Sequence, residues 1–167
     1  MKMSVIGTGY LGAVHAACMA HLGHEVVAYD TDASKIAALS GGTSPFYEPG
    51  FDELLAAVLA TGRLRFTQSV HEAVSGASVH FVCVGTPQLA GSDAANIEYV
   101  DSAFRAVAAN ADCAGLVVGK STVPVGSEFA ATRASRTKRS IAAWETSSVA
   151  RMSLSATRRP VQACCAA

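Results

Sequence analysis

Hydrophobic positions along the chain come in short bursts punctuated by glycine, and the bursts alternate between strand-like and helix-like spacing. "KMSVI" (residues 2–6) is an apolar run that stops at Gly7, as a buried parallel strand does. Over residues 11–22 small and apolar side chains are continuous enough for a helix packed on a sheet. "EVVAYD" (residues 25–30) is β-branched, apolar and closed by an acid, which predicts a second strand. A short helix over residues 33–39 is stopped by Gly41-Gly42. "SPFYEPG" (residues 44–50) carries two prolines and reads as a loop, after which residues 51–60 put Leu54, Leu55, Val58 and Leu59 on one helical face. "RLRFT" (residues 63–67) alternates like a strand, residues 71–75 form a short helix, and "VHFVCVG" (residues 79–85) is a buried strand. Residues 100–110 are helical, and "GLVVGKS" (residues 115–121) is a fifth strand.

Strands alternating with helices imply parallel pairing through right-handed crossovers. The expected fold class is therefore α/β, a doubly wound, mainly parallel sheet of Rossmann type. No internal repeat at a solenoid period is present. The well-patterned part supplies five strands, so the sheet is expected to be incomplete, with strand five lacking its next neighbour. Such an uncovered apolar edge invites aggregation and predicts marginal stability.

The pattern changes at Gly126, beyond which no glycine occurs. Residues 127–167 are rich in Ala, Ser, Thr and Arg and place few large apolar side chains at regular spacing. The organisation read from this is a truncated Rossmann-type domain over residues 1–126 and a basic, glycine-free, irregular tail over residues 127–167. Charge follows the same division. Residues 1–127 hold six Lys and Arg against eleven Asp and Glu, and residues 128–167 hold seven against two. High-GC coding sequence read out of frame yields this composition, so a frameshift at or just after Gly126 is preferred over a genuine tail for an anionic partner.

Composition narrows the class. With 167 residues, 50% hydrophobic and 16% charged, the chain suits one globular domain with a real core. No apolar run approaches the roughly 18 residues that span a bilayer. Met1-Lys2 leads straight into a strand, so no signal peptide is read and a cytoplasmic location is expected. Cys18, Cys83, Cys113, Cys164 and Cys165 show no metal-ligand spacing, and an odd number argues against a disulfide framework. No metal, nucleic-acid partner or membrane partner is expected.

The candidate chemistry starts at "VIGTGYLG". Gly7, Gly9 and Gly12 follow the first strand and open the first helix. Gly7 permits the tight turn, Gly9 lets backbone approach a pyrophosphate, and Gly12 allows close helix–strand packing. The helix N-terminus offers unpaired N–H groups to phosphate. Asp30 ends the second strand where a carboxylate accepts from an adenosine ribose diol and repels a 2′-phosphate, which favours NAD over NADP. The plainer alternative makes the glycines simple turns and Asp30 a cap on the next helix.

"SPFYEPGFDELL", "FVCVGTPQ" and "GKSTVPVGS" accompany "GTGYLG" in order and spacing. Together these four stretches, over residues 1 to about 127, resemble the amino-terminal NAD-binding domain of the UDP-glucose/GDP-mannose dehydrogenase family, closest to its UDP-glucose branch. The resemblance implies that Leu11 lies against the cofactor, that Asp30 and Lys35 sit near the adenosine ribose, and that Thr86 and Thr122 line the cleft near the nicotinamide. Taken alone, Thr86 and Thr122 would read as strand-terminating turns and Lys35 as a solvated helix charge. The family oxidises C6 of a UDP-hexose to a carboxylate with two NAD reduced, through a cysteine thiolate that carries a thiohemiacetal and then a thioester.

That cysteine, a catalytic lysine and a dimer-forming helix lie downstream in family members more than twice this length. Cys18 and Cys83 fall in a predicted helix and strand and read as small buried hydrophobes. Cys164-Cys165 lack the family's neighbouring residues, and Glu145 in "AAWETSSVA" lacks those around the substrate glutamate. No catalytic residue is assigned, and the chain alone is expected to be inactive and to bind NAD weakly. A stand-alone regulatory dinucleotide-binding module and a non-functional frameshifted fragment are the alternatives.

Overall fold

A computed structural model describes residues 1–112 and 115–123 in full and the backbone of residues 141–144. The chain alternates β1 (Lys2–Ile6), α1 (Tyr10–His21), β2 (Glu25–Tyr29), α2 (Ala33–Ser40), α3 (Phe51–Ala60) and β3 (Leu64–Thr67). It continues with α4 (Val70–Val74), β4 (Val79–Val82), α5 (Glu98–Asn110), β5 (Leu116–Gly119) and β6 (Ile141–Trp144). Strands pair in the order β3-β2-β1-β4-β5-β6, every neighbour parallel. The order in which the chain adds strands reverses between β1 and β4, so a crevice opens beyond their carboxyl ends, where this topology binds ligands.

Both faces of the sheet are covered, as continuous apolar strands require. Val5, Val26, Ala28 and Leu64 meet α1, α2 and α3 on one face, where Ala13, Ala16, Ala17 and Ala20 bring α1 close. Ile6, Val82 and Val117 meet α4 and α5 on the other through Val74, Val100, Phe104 and Val107. Sequence neighbours Val5 and Ile6 thus serve opposite cores, the period of two expected of a strand.

The expectation that β5 lacks a neighbour is corrected. Ile141–Trp144 runs parallel to β5, with Leu116 opposite Ile141 and Gly119 opposite Trp144. The edge of β5 offers unpaired N–H and C=O groups, and "IAAW" is a short apolar segment able to extend the ladder. The break at Gly126, the rest of residues 127–167, Cys113, Glu145, Cys164 and Cys165 lie outside the described residues.

Candidate functional site

The glycine loop joins β1 to α1 and is pinned from below. Gly7 has φ 97, and its N–H donates to the Tyr29 carbonyl at 2.8 Å. A Cβ at Gly7 would stand 2.9 Å from the Cys83 carbonyl oxygen, and one at Gly12 would land on the Gly7 carbonyl oxygen. Gly9 differs, since nothing lies within 4 Å of where its Cβ would be. As N-cap of α1 it provides no side-chain cap, and the first turn carries no acid. The uncapped N–H groups and the positive end of the helix dipole therefore face open space above Gly9. A phosphate fits this cradle on charge and on room.

Asp30 stands immediately after β2. Its Oδ2 accepts from the Thr8 N–H at 2.8 Å and from the Thr8 hydroxyl at 3.0 Å. Its Oδ1 accepts from the Asp32 N–H at 3.0 Å. A carboxylate has about four lone-pair directions, so one remains for a further donor such as a ribose hydroxyl. Asp30 does not cap α2; Asp32 does, accepting from the Ser34 and Lys35 N–H groups. The Ser34 hydroxyl, followed by the Lys35 N–H, holds the Asp32 carboxyl below its usual range. Lys35 Nζ lies 3.9 Å from Asp32 Oδ2.

A cleft of about 420 Å³ lies at the β1/β4 crossing. Of the residues singled out in the sequence, Gly7, Gly9, Asp30 and Lys35 line it. Leu11, Gly12, Thr86 and Thr122 are not in its lining. Leu11 is exposed on the first turn of α1, and Gly12 is buried under the loop. Thr86 is half-buried and Thr122 exposed, on the neighbouring segments that leave β4 and β5. Sequence reasoning missed the far wall, formed by Tyr99, Ser102, Ala103 and Ala106 of α5. Their spacing of three and four residues was the available signal, overshadowed by the core face of Val100, Phe104 and Val107.

Cys83 also lines the cleft, and burial pushes its thiol up to about 12, against an opposing pull from Lys120. At neutral pH it is a protonated, inert side chain. The "SPFYEPG" loop fastens to the glycine loop from outside the cleft. Tyr10 donates its hydroxyl to Glu48 Oε2 at 2.6 Å, and its ring meets Phe46 edge-on at 5.2 Å. The bond to Glu48 is the main cause of a raised Tyr10 phenol pKa. Among the described residues no group of three or more His, Cys, Asp or Glu is placed to hold a metal. No helix among them is long and apolar enough to cross a membrane.

Residues 1–150 match the model of the "UDP-glucose/GDP-mannose dehydrogenase family, NAD binding domain". A UDP-glucose 6-dehydrogenase of Rhizobium meliloti is 48% identical over 126 residues, which are 75% of this chain and 29% of that protein. The chain thus spans under a third of the length of this relative. Among solved structures, a UDP-glucose dehydrogenase from Pyrobaculum islandicum superposes with a TM-score of 0.78 at 40% identity, over 86% of this chain and 34% of that one. A ternary complex of GDP-mannose dehydrogenase from Pseudomonas aeruginosa gives a TM-score of 0.79 at 32% identity, over 86% and 35%.

Proposed function

The chain belongs to the UDP-glucose/GDP-mannose dehydrogenase family and carries its NAD-binding domain, and on that premise we propose that it delivers NAD to the oxidation of UDP-glucose at C6 to UDP-glucuronate. The observation that carries this reading is the convergence of Gly7, Gly9, Asp30 and Lys35 on one cleft at the carboxyl edge of a parallel sheet. Bound NAD supplies the hydride acceptor. The chain's own residues then divide the binding work. The uncapped N-terminus of α1 and the bare backbone at Gly9 take the pyrophosphate. The free direction on Asp30 takes the ribose diol, and its negative charge disfavours a 2′-phosphate. Lys35, tethered by Asp32, borders the same end. Thr86 and Thr122, on adjacent strand exits, serve the nicotinamide side, and Leu11 covers the cofactor from α1.

UDP-glucose is the substrate favoured over GDP-mannose, supported by the 48% identity to the Rhizobium meliloti UDP-glucose 6-dehydrogenase. These 167 residues alone do not turn the sugar over. Cys83 stays protonated and buried in the cleft floor, and no catalytic residue is assigned in the chain. A reading of residues 127–167 as an out-of-frame product draws support from the 126-residue extent of that same alignment, while the family model's match over residues 1–150 counts against a break at Gly126. A dimer is proposed for the intact family enzyme and a cytoplasmic location for this chain.

Titration of the chain with NAD and NADP tests the cofactor reading. NAD is expected to bind at least about tenfold more tightly, the size of one charge-assisted discrimination; equal binding, or none, sinks it. Adding UDP-glucose with NAD and following NADH absorbance tests the activity claim, where steady NADH production would overturn the chain's inactivity alone. Sequencing the gene from the Gly119 codon and translating all frames tests the tail. A second frame that resumes the family pattern upholds the frameshift, and its absence in every frame removes it.

A further inference from the structure

Backbone pairing between β4 and β5 ends, among the described residues, with the Lys120 N–H donating to the Val82 carbonyl at 2.8 Å. The next rung is made by a side chain. Ser121 Oγ donates to the Val84 carbonyl at 2.7 Å. Ser121 is only 7% exposed, so this bond is shielded from competing water. Val84 is a wall residue of the cleft, and so is Gly85 after it. The Val84 side chain also faces the glycine loop, since a Cβ on Gly7 would come within 3.1 Å of its Cγ1.

We propose that Ser121 is a positioning residue for the cofactor: its hydroxyl clamps the exit of β4 and fixes the Val84–Gly85 wall against the glycine loop. The inference rests on the reading of the cleft as the NAD site. The segment it restrains needs a restraint. Gly85 has the widest backbone freedom of any residue, and Pro87 has no N–H with which to continue a ladder. Without the hydroxyl, the Val84 carbonyl loses this partner, and the wall is held through its flanks, where the Cys83 N–H donates to the Ile6 carbonyl and the Asn96 N–H donates to the Pro87 carbonyl. The Ser121 bond ties the exit of β4 to the residue before Thr122, so both strand exits move as one piece.

Two variants of the 167-residue chain decide the matter, Ser121→Ala and the control Ser75→Ala. Ser75 donates its hydroxyl to Asp112 Oδ2 at 2.7 Å, at the amino end of the sheet and away from the cleft. Each variant loses one hydroxyl bond, so both melting temperatures fall. Ser121→Ala is expected to raise the NAD dissociation constant roughly five- to tenfold, the equilibrium equivalent of one lost hydrogen bond. Without cofactor, it should speed amide hydrogen exchange at Gly85 and Thr86 by a similar factor. Ser75→Ala should change neither. A Ser121→Ala variant matching Ser75→Ala in both readouts, or speeding exchange evenly over the sheet, overturns the clamp. Should the wild-type chain bind no NAD, the cofactor reading fails, while exchange at Gly85 and Thr86 still decides for or against the clamp.

Discussion

Asp30 grips Thr8 twice, its Oδ2 accepting from both the Thr8 N–H at 2.8 Å and the Thr8 hydroxyl at 3.0 Å. Thr8 is the middle residue of the glycine loop and is fully buried. One carboxylate therefore shapes the glycine loop and also lines the cleft. Loop geometry and the ribose contact proposed for Asp30 would be coupled through a single side chain.

That coupling separates two substitutions. Asp30→Ala strands the buried Thr8 N–H and hydroxyl, and should cost about 2–3 kcal/mol of stability together with more than about tenfold in NAD affinity. Thr8→Val keeps the shape and the N–H bond, so it should cost about 1 kcal/mol and weaken NAD only a few-fold. Denaturant melts paired with NAD titrations read both. Equal loss of binding in the two variants would mean that Asp30 acts through the loop alone.

Gly9 and Gly12 predict opposite behaviour within one motif. A methyl at Gly12 collides with the Gly7 carbonyl oxygen, backbone against backbone, so Gly12→Ala should destabilise by roughly 3 kcal/mol or more. A methyl at Gly9 meets nothing within 4 Å, and φ −64 suits alanine. Gly9→Ala should keep its melting temperature within about 2 °C, while NAD affinity falls at least about tenfold because the methyl occupies the phosphate's approach. Normal NAD binding by Gly9→Ala would place the pyrophosphate elsewhere.

His80 makes the fold sensitive to acid. It is 1% exposed in β4 and shares a buried hydrogen bond of 2.8 Å with Ser4 of β1. Burial lowers its pKa from 6.5 to about 4, with Asp112 pulling the other way. Below about pH 6.5 the unfolded chain takes up a proton that the folded chain refuses until about pH 4. Stability should therefore fall across that window by about 3 kcal/mol from this group, and level off below it. His80→Gln, which has no titrating group, should shed that part of the slope when both proteins are melted from pH 7 to pH 4. An unchanged slope would assign the acid sensitivity to carboxylates.

Much of this was legible because parallel sheets leave strong marks. Apolar runs such as "KMSVI" and "EVVAYD" must be buried on both faces, and glycine stops each of them or their helices. The loop and its acid were readable because φ 97 at Gly7 and the contact at Gly12 admit no other residue cheaply. Three features were missed. The α5 wall at Tyr99 and Ser102 depends on how the helix rolls over the sheet, which local sequence does not set. The second duty of Asp30, holding Thr8, joins residues 22 positions apart and leaves no periodic trace. The pairing of Ile141–Trp144 with β5 depends on an edge left open elsewhere, and four residues carry too little period to announce a strand.

Cys83 provides a test of what this domain does not do. It lines the cleft beside the glycine loop, where a reactive thiol would be well placed for covalent chemistry. Burial instead pushes its pKa up to about 12. At pH 8 a thiol of that pKa is thiolate in about one molecule in ten thousand, against roughly one in four for an ordinary cysteine. Alkylation of Cys83 in the folded chain at pH 8 should thus be at least about a thousandfold slower than in urea, as followed by mass spectrometry of its peptide. NAD affinity of Cys83→Ala should stay within about twofold of wild type, because the change removes one buried sulfur and no charge. Rapid labelling of Cys83 in the native chain would mean that the cleft floor opens to water and lowers the thiol pKa. The sugar-oxidising thiolate would then have a candidate within this domain.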